Sequence, residues 1–489
     1  MKSDENNRIN LKNKIVSGLA WAYAERISAQ LVTFVVSIIL ARLIDPNEFG
    51  TISLVLIFIT IANVFVTSGF GNSLIQKKSA DELDFSTIFI FSFILSLFFY
   101  GLLYMIAPLV AYFYKIEQLI LLIRIMSIRI PLASINSIQH AYVSKKMEFK
   151  KFYMSTLVGT IASALVGIYS AYIGFGIWAL VAQYLTNIII DTVVLWFIVD
   201  WKPCLMFSFN RLKGLFSYGW KLLFAELITV IYNDIRSLII GKRYGPADLA
   251  YYNKGKQFPR IIVTNIVSSM SKVLFPAISK YQNERTRIKQ IVSRSIKLCI
   301  FVLGPFLVGL IVIARPLVVV LLTDNWIDSV PFLQILSIYY LFMPIHAISS
   351  QAVNAIGRSD IHLKVQTTKI IIGLVLLVIA VVFFDTALII AIGVVASALI
   401  NTVIHININK KLFYYSYLEQ IKDLLQPLFL ALLMGIFVYL IQYLKLPMIV
   451  ILILQITVGA IIYLWIAWLL KIESLIYVIK IAKDLFLNK

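Results

Sequence analysis

Four basic residues lie within one long apolar segment of the chain, 249–279, and their chemistry suits the binding of anions. They are Lys254, Lys256, Arg260 and Lys272. Lys256 and Arg260 are one helical turn apart and therefore share a face, and Lys254 and Lys272 align on another. Because charge in hydrocarbon is costly, a helix this polar is expected to line water. We expect Lys256, Arg260 and Lys254 to bind phosphate; snorkelling to the membrane interface is the alternative for Lys254.

Three arginines in the first half of the chain have similar apolar surroundings. Arg26 follows Glu25 about ten residues into the first apolar segment. This position predicts either an ion pair that locks the helix to a neighbour, or Arg26 as a ligand for phosphate. Arg124 and Arg129 are five residues apart, about 140° around a helix, so they cannot share one tight face. Arg129 is expected to place its positive charge in a water-filled cavity. Arg124 either lines the same cavity or snorkels to the membrane interface.

Carboxylates within apolar segments are candidates for holding a proton or Na⁺. One segment contains Glu226 and Asp234, and Glu226 falls within one position of Glu25 when the chain is shifted by 200 residues. An intramembrane carboxylate can bind an ion on one side and release it on the other, so Glu226, Asp234 and Glu25 are candidates for ion coupling. Asp191 is a further candidate. The alternative is that these side chains are paired, for example Asp234 with Arg236.

Other chemistries lack the residues that they need. Cys204 and Cys299 set no disulfide framework or thiolate metal site, and the chain has four histidines. We therefore expect no metal, no cofactor and no catalytic constellation. The formal net charge of +20 would suggest nucleic acid in a soluble protein, but here we ascribe it to membrane topology and expect no nucleic-acid partner.

Composition identifies the elements that carry these residues as membrane-spanning helices. Of 489 residues, 60% are hydrophobic and 14% are charged, whereas soluble domains have about 45–50% and about 25%. Soluble enzymes, secreted disulfide scaffolds and disordered chains are thereby excluded. Because about 20 apolar residues cross the hydrocarbon core as a helix, the sequence predicts an all-α polytopic membrane protein. We place about fourteen spans, at 15–41, 49–75, 85–113, 118–143, 152–173, 176–199, 214–241, 249–279, 290–314, 329–355, 363–384, 386–408, 424–444 and 447–470.

The distribution of Lys and Arg predicts the orientation of these spans. The two tails and the even-numbered loops, with the first turns of the spans that follow these loops, contain 27 of these residues, against six in the odd-numbered loops. Loops rich in Lys and Arg stay on the cytoplasmic side, so both termini are predicted in the cytoplasm. Most of the net charge is therefore a topology signal, and attraction to anionic lipid is secondary.

An internal repeat divides the spans into two halves. Residues 42–50 (RLIDPNEFG) align with 242–250 (KRYGPADLA) at an offset of 200, and 123–128 (IRIMSI) align with 333–338 (LQILSI) at an offset of 210. Six, six and two spans imply two parallel pseudo-symmetric lobes, whose rocking around a central site gives alternating access. The predicted organisation is an N-terminal cytoplasmic tail 1–14, N-lobe 15–199, cytoplasmic linker 200–213, C-lobe 214–408, cytoplasmic loop 409–423, two last spans within 424–470 and a cytoplasmic tail 471–489.

These features resemble a known family. The span pattern and the turn DPNEFG at 45–50 resemble the multidrug/oligosaccharidyl-lipid/polysaccharide exporter superfamily. Three further motifs resemble its polysaccharide repeat-unit flippases, the Wzx type of the colanic and teichuronic acid branch: LFPAISKYQ at 274–282, ARPL through NW at 314–326 and NAIGRSD at 354–360. The resemblance covers about residues 10–415, and it departs at DNW, where a Gly-Lys-Trp-like pattern is commoner.

The resemblance implies a flippase, not an enzyme, that carries an undecaprenyl-pyrophosphate-linked oligosaccharide across a bacterial cytoplasmic membrane. The expected partners are this polyprenyl-linked oligosaccharide, membrane lipids, H⁺ or Na⁺, and polysaccharide polymerase or assembly proteins. Two alternatives stay open. A drug/cation antiporter of the same superfamily would need an anionic or aromatic cavity, and a membrane-embedded glycosyltransferase or polymerase would need a large outer loop or an acid–base constellation.

Overall fold

The computed structural model describes residues 2–487, and all regular secondary structure in that range is helical. The chain forms two compact units, of which unit 1 ends at Leu249 and unit 2 begins at Ala250. The helices of unit 1 are α1 (Lys2–Leu43), α2 (Pro46–Thr67), α3 (Phe70–Gln76), α4 (Glu82–Tyr114), α5 (Leu119–Met126), α6 (Arg129–Lys146), α7 (Phe149–Tyr172), α8 (Ile177–Ile198) and α9 (Phe209–Arg243). α10 (Pro246–Ser279) leads into unit 2, whose further helices are α11 (Arg285–Val312), α12 (Ala314–Leu322), α13 (Ser329–Ala355), α14 (Ser359–Phe383), α15 (Ala387–Phe413), α16 (Tyr417–Leu440), α17 (Met448–Leu469) and α18 (Glu473–Leu487).

Thirteen helices in the described range are long and apolar enough to cross a membrane. All fourteen predicted spans fall on helices, and the one outside this group of thirteen is 214–241. It lies in α9, whose 35 residues are long enough to cross but include Glu226, Asp234 and Arg236. The predicted all-α polytopic fold is confirmed. The lobe boundaries stay a prediction; within unit 1, α9 packs on α4, where Tyr114 Oη donates to the Leu238 carbonyl at 3.3 Å.

Two predicted spans are each split into two helices. The second span divides between α2 and α3 at Gly69, whose φ of 88° favours glycine. A Cβ added there would lie 2.2 Å from the carbonyl oxygen of Gly219, so the break also lets α9 approach closely. The fourth span divides between α5 and α6, which restarts at Arg129 with Pro131 in its first turn, where a proline needs no N–H partner.

The turn 45–50 fixes the start of α2 and also reaches another helix. Asp45 caps α2 by accepting a hydrogen bond of 2.8 Å from the backbone N two residues on, and Pro46 takes the first helical position. Glu48 Oε1 accepts a hydrogen bond of 3.1 Å from the Ile177 backbone N, at the first turn of α8. Both carboxylates are thus bound to helix N-termini, where negative charge is stabilising.

The helix boundaries follow the predicted repeat. α1 and α9 end at Leu43 and Arg243, and α2 and α10 begin at Pro46 and Pro246, so each pair is 200 residues apart. The starts of α5 and α13 are 210 residues apart, which matches the second offset. The prolines fix both starts, because proline favours the first helical position and cannot continue the preceding helix.

A cluster of charged side chains joins the start of α9 to α4. Asp81 caps α4 by accepting from the Asp84 backbone N at 3.0 Å, and this hydrogen bond holds the pKa of Asp81 below its usual value. Asp84 is fully buried and lies 2.6 Å from Lys77 Nζ. Arg211 reaches both carboxylates, at 3.2 Å from Asp81 and 3.3 Å from Asp84. These basic residues of the predicted cytoplasmic side therefore also stabilise unit 1.

The close packing at Gly50 predicts a loss of stability on substitution. A Cβ added at Gly50 would lie 1.7 Å from the carbonyl oxygen of Pro246, which cannot move without displacing α10. Gly50→Val is expected to destabilise the protein by about 1–3 kcal/mol, the range typical of overpacking. The matched control is Gly101→Val, because a Cβ at Gly101 has nothing within 4 Å. Equal melting temperatures of the two purified variants would contradict this prediction.

Candidate functional site

Arg124 and Arg129 contact aromatic rings on different helices of unit 1. Arg124 Nε donates to the Tyr104 carbonyl at 3.4 Å, and its Cζ lies 4.3 Å from the Tyr104 ring centroid on α4. Arg129 turns towards α8, where its Cζ is 5.2 Å from the Tyr184 ring. Its Nε is buried and donates no hydrogen bond to the described residues. Arg129 therefore keeps donor capacity for an anionic ligand, whereas Arg124 is held by its neighbour.

The adjacent pair Glu25 and Arg26 divides between two environments on α1. Arg26 is exposed, whereas Glu25 is half-buried. Glu25 interacts with the Thr156 side chain of α7 and lies within electrostatic range of Asp191 on α8. Glu25 therefore packs towards α7 and α8, whereas Arg26 is exposed on α1; the ion pair and the phosphate ligand expected from the sequence both stay predictions.

A buried polar cluster joins α6, α7 and α8. Asn136 Nδ2 donates to Asp191 Oδ2 at 3.0 Å, Ser155 lies beside the same carboxylate, and the charge of Asp191 acts on His140. The His140 ring stacks on Phe152 at 4.4 Å between centroids. Oδ1 of Asp191 and Oδ1 of Asn136 are both buried and receive no hydrogen bond from the residues described. Two buried acceptor oxygens of the cluster thus have no donor within hydrogen-bond distance among the described residues.

This cluster, with Glu25 at its edge, has the composition of a site for H⁺ or Na⁺. A proton on Asp191 would supply a missing donor, and Na⁺ would take carboxylate and amide oxygens as ligands. The sequence singled out Glu25 and Asp191 separately but did not predict that they would lie together. Asn136 lies about two turns into α6, and its contribution depends on tertiary packing that no local pattern encodes.

Lys254 of α10 is buried in unit 2. Its side chain is 7% exposed, and its Nζ lies 5.5 Å from the Trp326 ring centroid. The next residue, Gly255, lets α10 approach α13, because a Cβ there would meet the Leu333 backbone N at 2.7 Å. Lys254 is therefore enclosed by packing, and the turn 324–326 that departs from the family pattern supplies its aromatic neighbour.

Lys256 and Arg260 lie on a different side of α10 from Lys254. Two residues along a helix turn the side chain by about 200°, which separates Lys256 from Lys254. Lys256 is half-buried, with its Nζ 5.9 Å from the Tyr252 ring centroid. Arg260 is exposed and within electrostatic range of Tyr340 on α13. The shared face predicted for Lys256 and Arg260 thus carries aromatic side chains beside the cations.

The carboxylates of α9 differ in exposure. Glu226 is exposed and Asp234 is half-buried. Arg236 is 9% exposed and is held within its own helix, since its guanidinium donates to the Tyr232 carbonyl at 3.3 Å and to the Tyr232 hydroxyl at 3.2 Å. The coupling role predicted for Glu226 and Asp234 stays a prediction.

Two histidines that the sequence did not single out form a pair in unit 2. His346 Nε2 is hydrogen-bonded to Thr402 Oγ1 at 2.8 Å, and the same hydroxyl oxygen lies 2.8 Å from the Ala398 carbonyl oxygen. The His405 ring stacks on His346 at 5.1 Å and links α15 to α13. Within residues 2–487, no three His, Cys, Asp or Glu side chains are grouped to hold a metal ion.

Comparison of the sequence with known families gives one match over more than half of the chain. A profile described as "Polysaccharide biosynthesis protein" matches residues 39–331. Teichuronic acid biosynthesis protein TuaB of Bacillus subtilis is 24% identical over 72% of this chain and 73% of its own length. Lipopolysaccharide biosynthesis protein WzxC of Escherichia coli is 22% identical over 87% of both chains. Succinoglycan biosynthesis transport protein ExoT of Rhizobium meliloti is 23% identical over 66% of both.

Solved structures with a similar fold are transporters of lipids and of drugs. The inward closed structure of the lipid II flippase MurJ is similar with a TM-score of 0.72 at 17% identity, over 92% of this chain and 98% of that one. An inward-facing multidrug transporter of the MATE family has a TM-score of 0.59 at 15% identity, over 78% of this chain and 95% of that one. At these identities the likeness establishes the fold alone.

Proposed function

The chain belongs to the polysaccharide biosynthesis protein family, and we propose that it is a flippase for polyprenyl-diphosphate-linked oligosaccharide repeat units. The observation that carries the proposal is the set of exposed or half-buried cations within candidate membrane spans on α1, α6 and α10: Arg26, Arg129, Lys256 and Arg260. Relatives named for teichuronic acid, succinoglycan and lipopolysaccharide biosynthesis support a polysaccharide precursor as the substrate.

The transported head group explains why a membrane helix would carry such residues. A diphosphate loses water when it enters a membrane protein, and guanidinium and ammonium groups replace that water with charge-assisted hydrogen bonds. The aromatic rings beside Lys256 and Arg260 suit the sugars, which present flat apolar faces. Transport forms and breaks no covalent bond, so no nucleophile or acid–base pair is needed. Affinity stays modest, because a carrier that binds tightly cannot release its substrate.

The predicted cations divide by their surroundings. Arg26 and Arg260 are exposed, Lys256 is half-buried and Arg129 has a free buried donor; we assign these four to the phosphates. Arg124 is bound to Tyr104, and the buried Lys254 lies beside Trp326, so a packing role fits them better.

For ion coupling, the cluster around Asp191 is the stronger candidate. Its carboxylate is bound by Asn136 and adjoins Ser155, and two acceptor oxygens there lack donors. Glu25 on α1 lies within range of the same carboxylate, so ion binding at Asp191 would act on the helix that carries Arg26. A site that binds H⁺ or Na⁺ close to a basic residue that binds the substrate can couple ion binding to substrate binding.

The proposed location is the bacterial cytoplasmic membrane with both termini in the cytoplasm, where the Lys- and Arg-rich loops and tails are expected. This orientation places loading of the lipid on the side where its precursors are made. Polymerase or assembly proteins are the proposed partners on the opposite side.

Purified protein in vesicles tests the proposal directly. A fluorescent polyprenyl-diphosphate oligosaccharide is placed in the membrane, and its inner and outer fractions are measured with a membrane-impermeant quencher. Vesicles containing the protein are expected to move the lipid between leaflets faster than empty vesicles. Absence of movement would contradict a flippase, and efficient efflux of organic cations instead would identify a drug/cation antiporter.

A further inference from the structure

A cleft in unit 2 lies outside all of the residues assigned to transport. Its volume is about 510 Å³, and it separates the early turns of α11 from α18. Ser293, Arg294 and Lys297 line it from α11, and Ser474, Tyr477 and Lys480 line it from α18. Three cations and three hydroxyl groups therefore face one space from two helices.

The charges of this cleft are not all balanced. Lys297 Nζ is paired with Asp423 at 3.0 Å. Arg294 and Lys480 form no ion pair with a carboxylate in the part of the chain that the structure describes, and Glu473 is the one acidic side chain in the lining. The Arg294 guanidinium lies over the Tyr477 ring at 3.7 Å, which fixes its plane and leaves its donor edge for a ligand.

α18 has the features of a helix that lies in the membrane interface. It starts four residues after α17 ends, and the chain turns at Lys471, whose φ is 50°. Leu475 packs inward at 9% exposure, whereas Ile476 and Ile479 are 57% and 44% exposed. Exposed aliphatic side chains beside cations on an amphipathic helix place the helix at the level of lipid head groups, with its apolar residues in the acyl region.

We infer that this cleft binds the phosphate of an anionic phospholipid. The phosphodiester would accept hydrogen bonds from Arg294, Lys480 and the hydroxyls of Ser474 and Tyr477, and the acyl chains would run along Ile476. The Ser293 hydroxyl already donates to Asp423 Oδ2 at 2.5 Å. A soluble phosphate would bind the basic side chains, but it would make no contact with the exposed Ile476. A bound lipid would hold α18 against α11, because its head group contacts both helices. The inference is independent of the transport proposal.

Native mass spectrometry of the purified full-length protein tests this inference with phosphatidylglycerol and phosphatidylcholine as probes. Wild-type protein is expected to retain phosphatidylglycerol in preference to phosphatidylcholine. The double variant Arg294→Gln/Lys480→Gln is expected to lower that affinity about tenfold or more, since each basic residue at a membrane surface contributes to the binding of anionic lipid. Arg294→Lys, which keeps the charge but loses the planar fork, is expected to give an intermediate loss.

The matched control is Arg287→Gln, which removes the same charge from α11 outside the cleft lining. Its affinity for phosphatidylglycerol is expected to equal that of the wild type. The inference is overturned if both lipids bind equally, or if Arg287→Gln and the double variant lose affinity equally. It is also overturned if millimolar inorganic phosphate displaces the phospholipid, or if undecaprenyl diphosphate binds the cleft in its place. None of these outcomes bears on whether the oligosaccharide lipid is moved in vesicles.

Discussion

Replacing Arg260 or Arg26 with glutamine is expected to slow the transfer of the lipid-linked oligosaccharide about ten- to a hundredfold. Each guanidinium is exposed and lies within a candidate membrane span, and a hydrogen bond to a charged group contributes about 1.5–3 kcal/mol. Because about 1.4 kcal/mol corresponds to a factor of ten, loss of one phosphate contact gives this range. The measurement is surface polysaccharide in cells that depend on the transporter, together with leaflet exchange in vesicles.

Two companion variants separate phosphate binding from a general effect of charge. Arg260→Lys keeps the charge but not the two parallel donors, so it is expected to retain more transport than the glutamine variant. Arg315→Gln removes an exposed arginine in the first turn of α12 and is expected to transport normally. Normal surface polysaccharide in both Arg26→Gln and Arg260→Gln cells, with normal expression, would show that the phosphate assignment is wrong.

The amino-acid sequence was sufficient to predict the membrane-spanning helices, which depend on composition, and the equivalent helix ends of the two halves, which depend on the repeat. Apolar runs predict helices because a lipid-facing backbone must satisfy its hydrogen bonds internally, and all fourteen predicted spans fall on helices. The repeat predicted equivalent helix ends, and Pro46 and Pro246 do begin α2 and α10. The breaks before α3 and α6 were missed, because each lies inside a segment that is apolar enough overall to be interpreted as one continuous span. The tail 471–489 was not predicted to contain α18, since a short helix that packs on its neighbours is not distinguished from a basic tail by its sequence alone.

The candidate site was predictable one helix at a time, but not across helices. Helical periodicity correctly separated Lys254 from Lys256, because that distinction depends on rotation about one axis. The burial of Lys254 beside Trp326 depends on the close approach of α10 to α13 at Gly255, which sequence spacing does not encode. The Asp191 cluster was missed for the same reason: Asn136 and Asp191 are 55 residues apart and meet through packing of α6 on α8.

Asp191→Asn is expected to abolish the stimulation of transport by an ion gradient while exchange without a gradient persists. The amide has nearly the same shape as the carboxylate, so the contacts with Asn136 and Ser155 can be retained. It can neither take up a proton nor balance the charge of Na⁺, so the cluster can no longer bind the driving ion. The measurement is leaflet exchange of the oligosaccharide lipid in vesicles under an imposed Na⁺ gradient and, separately, an imposed pH gradient. The gradient that accelerates the wild-type protein identifies the ion.

Two matched carboxylate variants decide whether the effect belongs to this cluster. Asp200→Asn alters a side chain that is 80% exposed and outside the predicted spans, so its response to the gradient is expected to be normal. Glu226→Gln alters the coupling candidate on α9, and it is expected to keep its stimulation if the ion binds at Asp191. If Asp191→Asn keeps its full stimulation by the gradient and Glu226→Gln loses it, the ion binds on α9 and not at Asp191. In that case the donor-free oxygens of Asp191 and Asn136 would need a buried water molecule as their partner, because buried acceptors without any donor are costly.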